Sequence, residues 1–255
     1  MRAIVTGMTG TVAPALARAL RGSGWEVVAW DRARVATDDD GAVRGFIERE
    51  RPDWVCHIAT GAPEWAERIA RSCAAMGVRL LWAGSVSVFS ERNQAPLTVE
   101  MAPDATDDYG RYKIECEARV RQANPGALVA RLGWQIGDGP GSNTMLDYFH
   151  RRADAGNVRF GASRGWVASC AMLEDTAHAM AELMTRGERG VLHLEGNEAG
   201  MSLFEIASAL APEHGWEVSA DEEPVRDNRM HDPRVRMAQV AERLGRGARG
   251  RAVTR

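Results

Sequence analysis

The feature that most constrains the fold is a regular alternation of short apolar runs with amphipathic stretches in the first half of the chain. The apolar runs have the length of buried strands, and the stretches between them carry apolar residues at helical spacing. The predicted strands are 3–6, 25–30, 54–59, 78–83 and 127–132, and the predicted helices are 12–21, 41–49, 63–76 and 109–122. Strands and helices that alternate in this way form a parallel sheet with helices on both faces. Ligands of such sheets bind at the carboxyl ends of the strands.

Charge and composition exclude several classes of partner. The chain has 35 acidic and 32 basic residues, so a net charge of -3 gives no attraction to nucleic acid or to an anionic membrane. No apolar run approaches the roughly 20 residues that span a bilayer, and the first residues lack the apolar core of a signal peptide. We therefore expect a cytoplasmic protein that binds a small molecule.

The cysteines do not indicate a metal site or a disulfide framework. They have no C-x-x-C spacing and no clustered histidines beside them, so we expect no metal and interpret them as small buried apolar residues. The four are Cys56, Cys73, Cys116 and Cys170.

A glycine-rich turn lies where the first predicted strand meets the first predicted helix. It reads TGMTGTVA over residues 6–13. Glycines at such a turn let the backbone approach a pyrophosphate, whose charge is met by the N–H groups and dipole of the helix N-terminus. We predict that Gly7, Thr9, Gly10, Thr11 and Val12 bind a dinucleotide. An ordinary strand-to-helix turn with two glycines is the alternative.

The residues after the second predicted strand bear on the choice of dinucleotide. Asp31 stands at the offset of roughly 20 residues expected for a carboxylate that binds ribose hydroxyls. Arg32 and Arg34 follow at once and would meet a 2′-phosphate instead. Because a carboxylate repels that phosphate and binds a free hydroxyl, NAD is slightly favoured and NADP stays open. A capping or turn role is the alternative for Asp31.

A lysine, a tyrosine and a serine form a candidate catalytic set. Lys113 is the one lysine among 32 basic residues, which suggests a position where arginine does not serve. It lies four residues after Tyr109, so the ammonium and the phenol share one helix face. A nearby ammonium lowers the phenol pKa from about 10 and moves it toward proton exchange near neutral pH. Ser85 follows the strand 78–83 and would hold a substrate oxygen, with an ordinary loop serine as the alternative.

Taken together, these residues resemble an extended short-chain dehydrogenase/reductase of the NAD-dependent epimerase/dehydratase superfamily, closest to the dTDP-4-dehydrorhamnose reductase group. The resemblance rests on the glycine turn, on GSVSVF at 84–89 and on YGRYK at 109–113. RPD at 51–53 and RLGW at 131–134 are similar to the reductase group in particular. The similarity extends to about residue 245.

The resemblance implies an α/β fold: a Rossmann-type doubly wound parallel sheet with a small C-terminal substrate lobe. We expect one domain over residues 1–245, in which 1–133 mainly bind the dinucleotide and 134–245 contribute the substrate lobe. Residues 246–255 are expected to form a flexible tail. The predicted elements after residue 133 are helices at 144–155, 174–185 and 203–210, an extended stretch at 166–169, and strands at 191–194 and 216–219.

The resemblance also implies roles for individual residues. Tyr109 would exchange a proton with the substrate oxygen while Ser85 hydrogen-bonds that oxygen, and Lys113 would bind the nicotinamide ribose and lower the tyrosine pKa. Ala59, Tyr109 and Lys113 join the cofactor site. The implied substrate-binding residues are Ser85, Val86, Trp134 and Asn143.

The implied activity is that of an NAD(P)-dependent oxidoreductase that reduces a keto group of a nucleotide-linked or related sugar. Two alternatives remain open at this point. The same residues serve a sugar-nucleotide epimerase or dehydratase, and a non-catalytic member of the superfamily would bind NAD(P) as a regulatory subunit. A homodimer is possible, and no nucleic acid or membrane is expected as a partner.

Overall fold

The structure is a computed structural model that describes residues 1–137, 144–153 and 158–250, with side chains described to residue 245 in the last helix. The strands of the described residues are β1 (Arg2–Thr6), β2 (Glu26–Ala29), β3 (Trp54–His57), β4 (Arg79–Ser85), β5 (Leu128–Leu132), β6 (Trp134–Ile136), β7 (Arg159–Ser163), β8 (Trp166–Val167), β9 (Cys170–Met172), β10 (Gly190–Leu194), β11 (Glu217–Asp221) and β12 (Arg226–Asp227). The helices are α1 (Val12–Gly22), α2 (Asp40–Glu50), α3 (Pro63–Met76), α4 (Asp108–Ala123), α5 (Met145–Ala153), α6 (Leu173–Arg186), α7 (Leu203–His214) and α8 (Val240–Gly250).

Six of these strands form a parallel sheet in the order β10-β5-β4-β3-β1-β2. The chain leaves β1 toward β2 on one side and then returns to place β3 on the other side of β1. The direction of winding therefore reverses between β1 and β3, which is where open α/β sheets form their ligand crevice. This arrangement confirms the predicted doubly wound α/β fold.

Apolar side chains cover both faces of the sheet. On β1, Ala3 and Val5 face a cluster formed with α1 and α6, whereas Ile4 faces a second cluster formed with α2, α3 and α4. Burial on both faces explains why the strands read as continuous apolar runs rather than as alternating ones. The four cysteines are free and buried, and three of them belong to these two clusters.

The C-terminal half is divided between the sheet and a small lobe. α6 packs on α1, and β10 pairs with β5, so the sheet takes one helix and one strand from beyond residue 133. A third apolar cluster, which includes Phe149, Phe160 and Trp216, joins α5, β7 and α7 in the lobe.

Two helices in the C-terminal half extend beyond the bounds that the sequence predicted. α7 continues past the predicted end at residue 210 to His214 and stops at Gly215, whose φ of +68° suits glycine. α8 continues to Gly250, past the boundary that we expected at residue 245. None of the helices in the described ranges combines the length and apolar character needed to cross a membrane.

A buried ion pair ties α4 to the sheet. The guanidinium of Arg131 on β5 donates to both carboxylate oxygens of Glu117 on α4, at 3.0 and 2.7 Å, and both side chains are almost fully buried. Arg131 also lies 3.2 Å from Nε2 of His193 on β10. Bidentate geometry and burial make this pair sensitive to the loss of either partner.

We predict that Glu117→Gln lowers the free energy of unfolding by roughly 3 kcal/mol, because it leaves the Arg131 guanidinium buried without a counter-charge. Glu115→Gln is the matched control. Glu115 lies on the same helix but is half exposed and pairs with Arg119, so its loss should cost under about 0.5 kcal/mol. Urea unfolding of both variants measures the difference. Equal and small losses would contradict the importance of the buried pair.

Candidate active site

A cleft of about 600 Å³ opens at the carboxyl edge of the sheet, beside the reversal between β1 and β3. Twelve of the fourteen residues that we predicted for the site line this cleft. They are Gly7, Thr9, Gly10, Thr11, Val12, Arg32, Ala59, Ser85, Val86, Tyr109, Lys113 and Trp134. The other two are Asp31, which is not among the lining residues, and Asn143, which lies outside the described residues.

The glycine turn forms one end of the cleft. Gly7 has φ +85°, and a Cβ there would lie 3.0 Å from the backbone nitrogen of Ala59, so only glycine fits without strain. The Gly10 N–H donates to the Gly7 carbonyl at 2.8 Å and closes the turn. α1 begins directly afterwards, and its first turn holds no acidic residue. The N-terminal end of α1 therefore offers an anion site at the cleft.

The Thr6 side chain connects the end of β1 to the end of β3 at this part of the cleft. The Thr6 hydroxyl accepts the N–H groups of Ile58 and Ala59, each at 3.0 Å, and lies 2.9 Å from Nδ1 of His57. Because both lone pairs of the hydroxyl are used, its proton points to His57. Burial, with Lys113 and then Arg32 nearby, lowers the pKa of His57 to about 3, so this histidine is neutral. The ends of β1 and β3 are thus joined by neutral hydrogen bonds.

Asp31 has the turn role that the sequence left open as the alternative to ribose binding. The Asp31 carboxylate accepts the N–H of Ala33 at 2.9 Å and lies 3.3 Å from Arg34, so it caps the turn after β2. Arg32 is the residue that lines the cleft. Its guanidinium donates to the Thr60 carbonyl at 2.6 Å and lies 4.7 Å from the ring centre of Trp65. At this edge the cleft therefore presents a positive charge.

Ser85 and Tyr109 approach each other because α4 begins very close to the end of β4. The Asp107 carboxylate caps α4 by accepting the Gly110 N–H at 2.9 Å. A Cβ at Gly110 would clash with the carbonyl oxygen of Ser87, so glycine is required for this close approach. Ser85, at the end of β4, is buried, and its hydroxyl accepts the Ser87 N–H at 3.1 Å.

Lys113 is buried beneath this pair. Its ammonium donates to the Ala83 carbonyl at 3.0 Å and lies 4.9 Å from the ring centre of Trp82. Burial lowers the pKa of Lys113 to about 8, while Cys116 and Glu117 oppose that shift. The cation is therefore held in place at a cost in solvation.

The pKa of Tyr109 is raised from its ordinary value, whereas the sequence led us to expect a lowered one. Partial burial of the phenol in the cleft is the main cause, and a hydrogen bond with Ser85 opposes it. The Lys113 ammonium lies 5.9 Å from the centre of the tyrosine ring and is bonded to the Ala83 carbonyl instead. The Tyr109 side chain is 48% exposed, so the protonated phenol is accessible from the cleft.

The opposite side of the cleft comes from segments that we did not predict to belong to the site, although residues 166–169 were predicted to be extended. We call it the C-terminal wall, and it consists of Trp166, Ala168, Ser169, Arg226 and Asn228. β8 and β12 pair over two residues each and bring these positions together. Strands of that length carry no periodic signal, which is why this wall was missed.

The predicted substrate residue Trp134 packs between two other aromatic rings, one of which belongs to the C-terminal wall. The ring of Trp134 lies 5.4 Å from that of Trp166 and 5.2 Å from that of Tyr148. Within the described residues, no group of three His, Cys, Asp or Glu side chains could hold a metal ion.

We predict that Lys113→Met raises the free energy of unfolding at pH 7 by about 1–2 kcal/mol. The lowered pKa corresponds to a cost on the order of 3 kcal/mol for the ammonium in the folded state, and the lost hydrogen bond offsets about 1 kcal/mol of the gain. The folded pKa lies below the unfolded one, so the wild type gains stability as the pH rises from about 8 to 10.5.

Thermal melts at pH 7 and pH 10 measure this effect. The variant should melt a few degrees above the wild type at pH 7, and the gap should narrow at pH 10. A variant that melts well below the wild type at pH 7 would show that the ammonium stabilises the fold.

Two known proteins are similar to this chain in sequence. The methionine adenosyltransferase 2 subunit beta of Xenopus laevis is 26% identical over 239 residues, which cover 82% of this chain and 71% of that protein. The dTDP-4-dehydrorhamnose reductase of Mycobacterium tuberculosis is 33% identical over 156 residues, which cover 58% of this chain and 50% of that protein.

A solved structure is similar over nearly the whole chain. It is the dTDP-4-dehydrorhamnose reductase of Bacillus anthracis in complex with NADP, with a TM-score of 0.81, 16% identity, and coverage of 96% of this chain and 97% of that one. At this identity the likeness concerns the fold.

One family accounts for most of the sequence. The sequence model of the RmlD substrate binding domain matches residues 1–67 and 63–241. The resemblance inferred from the glycine turn and the Tyr109–Lys113 pair is thereby confirmed. The chain belongs to the RmlD substrate binding domain family, within the extended short-chain dehydrogenases/reductases.

Proposed function

We propose that this protein is an NAD(P)-dependent oxidoreductase that reduces a keto group of a nucleotide-linked or related sugar. The observation that carries the proposal is that one cleft joins the glycine turn to Ser85, Tyr109 and Lys113. The turn suits a dinucleotide, and the three side chains suit proton exchange at a carbonyl oxygen. Family membership supports the same reaction class.

The residues present fit a nicotinamide dinucleotide. The Gly7–Gly10 turn leaves room for a pyrophosphate against α1, and a Cβ at Gly7 would already touch Ala59. In this proposal the turn binds the pyrophosphate, Arg32 the adenosine ribose and Lys113 the nicotinamide ribose. The bound nicotinamide supplies the hydride, which is chemistry that the protein only orients.

Tyr109 acts as the general acid in this proposal. A raised pKa keeps the phenol protonated at neutral pH, which is the state needed to donate a proton to the substrate oxygen during reduction. Ser85 hydrogen-bonds the same oxygen from the end of β4. The Lys113 ammonium stabilises the phenolate that forms after transfer, because it lies on the same side of α4.

The C-terminal wall supports a nucleotide-linked substrate. Arg226 presents a guanidinium to the cleft and is anchored by Glu91 at 3.0 Å. Trp134 and Trp166 offer aromatic faces beside it. A phosphate group and a ring system together match this combination of a cation and aromatic surfaces.

A second candidate function follows from the comparisons. Relatives named as a subunit beta of methionine adenosyltransferase 2 match 82% of the chain, which favours a non-catalytic NAD(P)-binding subunit as the alternative. An epimerase or dehydratase, in which hydride is removed and returned, uses the same residues as a reductase. Turnover of NADPH with a panel of dTDP- and UDP-linked keto-sugars identifies a reductase, because the other candidates consume no NADPH overall. Analysis of the sugar products then separates an epimerase or dehydratase from a non-catalytic subunit.

We further propose that NADPH is preferred over NADH, which reverses the slight preference for NAD that the sequence suggested. Asp31 is occupied in its own turn, whereas Arg32 lines the cleft. Arg32→Ala should weaken NADPH binding at least about tenfold and change NADH binding by less than about threefold, because one charged hydrogen bond to the 2′-phosphate is lost. Arg34→Ala, which removes an exposed arginine of the same turn, is the control. Equal losses for both dinucleotides in fluorescence titrations would contradict the assignment.

We predict that Tyr109→Phe and Lys113→Arg each lower kcat at least about a hundredfold, or roughly 2.7 kcal/mol. Tyr109→Phe removes the proton donor and should leave dinucleotide binding nearly unchanged. Because the two residues act as a unit, the double variant should be little worse than either single one.

Tyr112→Phe is the matched control for this experiment. It removes a hydroxyl from the same helix outside the cleft, where that hydroxyl accepts the Gly61 N–H at 3.1 Å, and it should retain kcat within about threefold. Full activity in both single variants would overturn the catalytic assignment of Tyr109 and Lys113.

A further inference from the structure

A buried carboxylate lies behind the C-terminal wall, outside the set of residues to which we have given a chemical role. Glu195 directly follows β10 and is 5% exposed. One oxygen accepts the N–H groups of Cys170 and Asn197, at 3.2 and 2.8 Å, and the other accepts the Met230 N–H at 2.9 Å. Within the described residues it has no ion-pair partner. Burying a charge without a counter-charge is costly, and the three hydrogen bonds offset part of that cost.

The three donors belong to three separate segments. Cys170 follows Ala168 and Ser169 of the C-terminal wall, and Met230 follows Asn228 of the same wall. Asn197 belongs to the loop after β10, and its side-chain amide donates to the Ala168 carbonyl at 2.9 Å. The carboxylate is therefore the point where both halves of the wall are joined.

The two segments that Glu195 joins also contact each other directly on the side that faces the cleft. Oδ1 of Asn228 accepts the Ser169 N–H at 3.3 Å and faces Nε1 of Trp166 at 3.5 Å. These contacts cross between residues 166–170 and 226–230, the same two segments that Glu195 joins from behind. A shift of one segment would move Arg226 and Asn228 relative to Trp166.

We propose that Glu195 is the positioning residue of the C-terminal wall, holding residues 166–170 and 226–230 at the separation that binds a nucleoside diphosphate group. This inference rests on the proposed function for the identity of the ligand. A carboxylate suits the position because the three backbone groups that it binds are all N–H donors. An amide would turn its own NH₂ group toward one of them.

The titratable neighbours of Glu195 keep one charge state near neutral pH, so Glu195 itself is the group whose protonation changes there. On the 226–230 segment, the Arg229 guanidinium is bound to the Asp227 carboxylate at 2.9 and 2.7 Å and to the Glu198 carbonyl at 2.7 Å. On β9, burial raises the pKa of the Cys170 thiol well above its usual value, so that group is neutral.

Protonation of Glu195 near neutral pH would weaken the hydrogen bonds that join the two segments of the wall. Burial raises the pKa of Glu195 to about 7, although hydrogen bonds, including those from the three backbone N–H groups, oppose the shift. A protonated oxygen cannot accept the Met230 N–H in the same way, so the wall should loosen as the pH falls through 7. Ligand affinity should therefore be higher at pH 8 than at pH 6.

The test measures dTDP and NADPH binding by calorimetry in the wild type, Glu195→Gln and Glu198→Gln. Glu195→Gln should weaken dTDP binding at pH 8 by about tenfold or more through the lost hydrogen bond to Met230, and NADPH binding should stay within about twofold. Glu198→Gln changes a more exposed carboxylate three residues away and should bind dTDP like the wild type.

The pH dependence separates positioning from a general structural role. From pH 8 to pH 6 the ratio of wild-type to Glu195→Gln affinity for dTDP should fall toward one, because only the wild type carries the titrating group. The titration of dTDP itself is common to both proteins and cancels in the ratio. A ratio that does not change with pH would overturn the proposal.

Hydrogen exchange supplies a readout that does not depend on the ligand. In Glu195→Gln, exchange should quicken in residues 166–172 and 226–232 and stay unchanged in β1 and α1. Unchanged exchange everywhere, or faster exchange throughout the chain with loss of NADPH binding, would overturn the proposal. If the wild type binds NADPH but not dTDP, the proposed substrate class fails, and the exchange pattern alone decides on Glu195.

Discussion

The site depends on the close contact between the start of α4 and the end of β4. Gly110 makes this contact possible, since a Cβ there would overlap the Ser87 carbonyl oxygen. The same contact brings Tyr109 to Ser85 and sends Lys113 beneath the sheet edge to the Ala83 carbonyl. The Arg131–Glu117 pair fixes the same face of the helix to β5 one turn after Lys113. A displaced α4 would therefore move Tyr109 and Lys113 away from Ser85 and from the glycine turn.

The cleft combines two ends that the chain builds differently. The dinucleotide end is formed by backbone geometry at Gly7 and Gly10 and by the Thr6 hydroxyl, which links β1 to β3. The C-terminal wall is formed by short segments that are held by hydrogen bonds to Asn228 and Glu195. A parallel sheet can keep the first end constant while the second changes, which is how one fold serves many substrates. In the proposed function, cofactor binding and substrate choice thus belong to separate ends of the cleft.

The sequence predicted the features that depend on local patterns. The strands and helices of the sheet follow from apolar periodicity, and the glycine turn and the Tyr109–Lys113 spacing follow from short motifs. The sequence left two roles open for Asp31, and the choice between them depends on which side chain the Ala33 N–H captures within one turn.

Features that depend on contacts between distant parts of the chain could not be predicted from the sequence either. The C-terminal wall joins positions about sixty residues apart through strands of two residues, which leave no pattern in the sequence. The pKa of Tyr109 was predicted in the wrong direction, because the spacing of Tyr109 and Lys113 does not reveal the burial of the phenol, which raises its pKa.

The most direct test of the central claim is an NADPH titration of the wild type, Gly10→Val and Gly22→Val. A side chain at Gly10 would enter the turn, with its Cβ 3.2 Å from the Gly7 carbonyl oxygen, whereas one at Gly22 at the other end of α1 meets open space. We predict that Gly22→Val binds like the wild type, and that Gly10→Val folds normally but binds at least about a hundredfold more weakly, because the pyrophosphate can no longer approach the backbone. Wild-type affinity in a folded Gly10→Val protein would contradict the account.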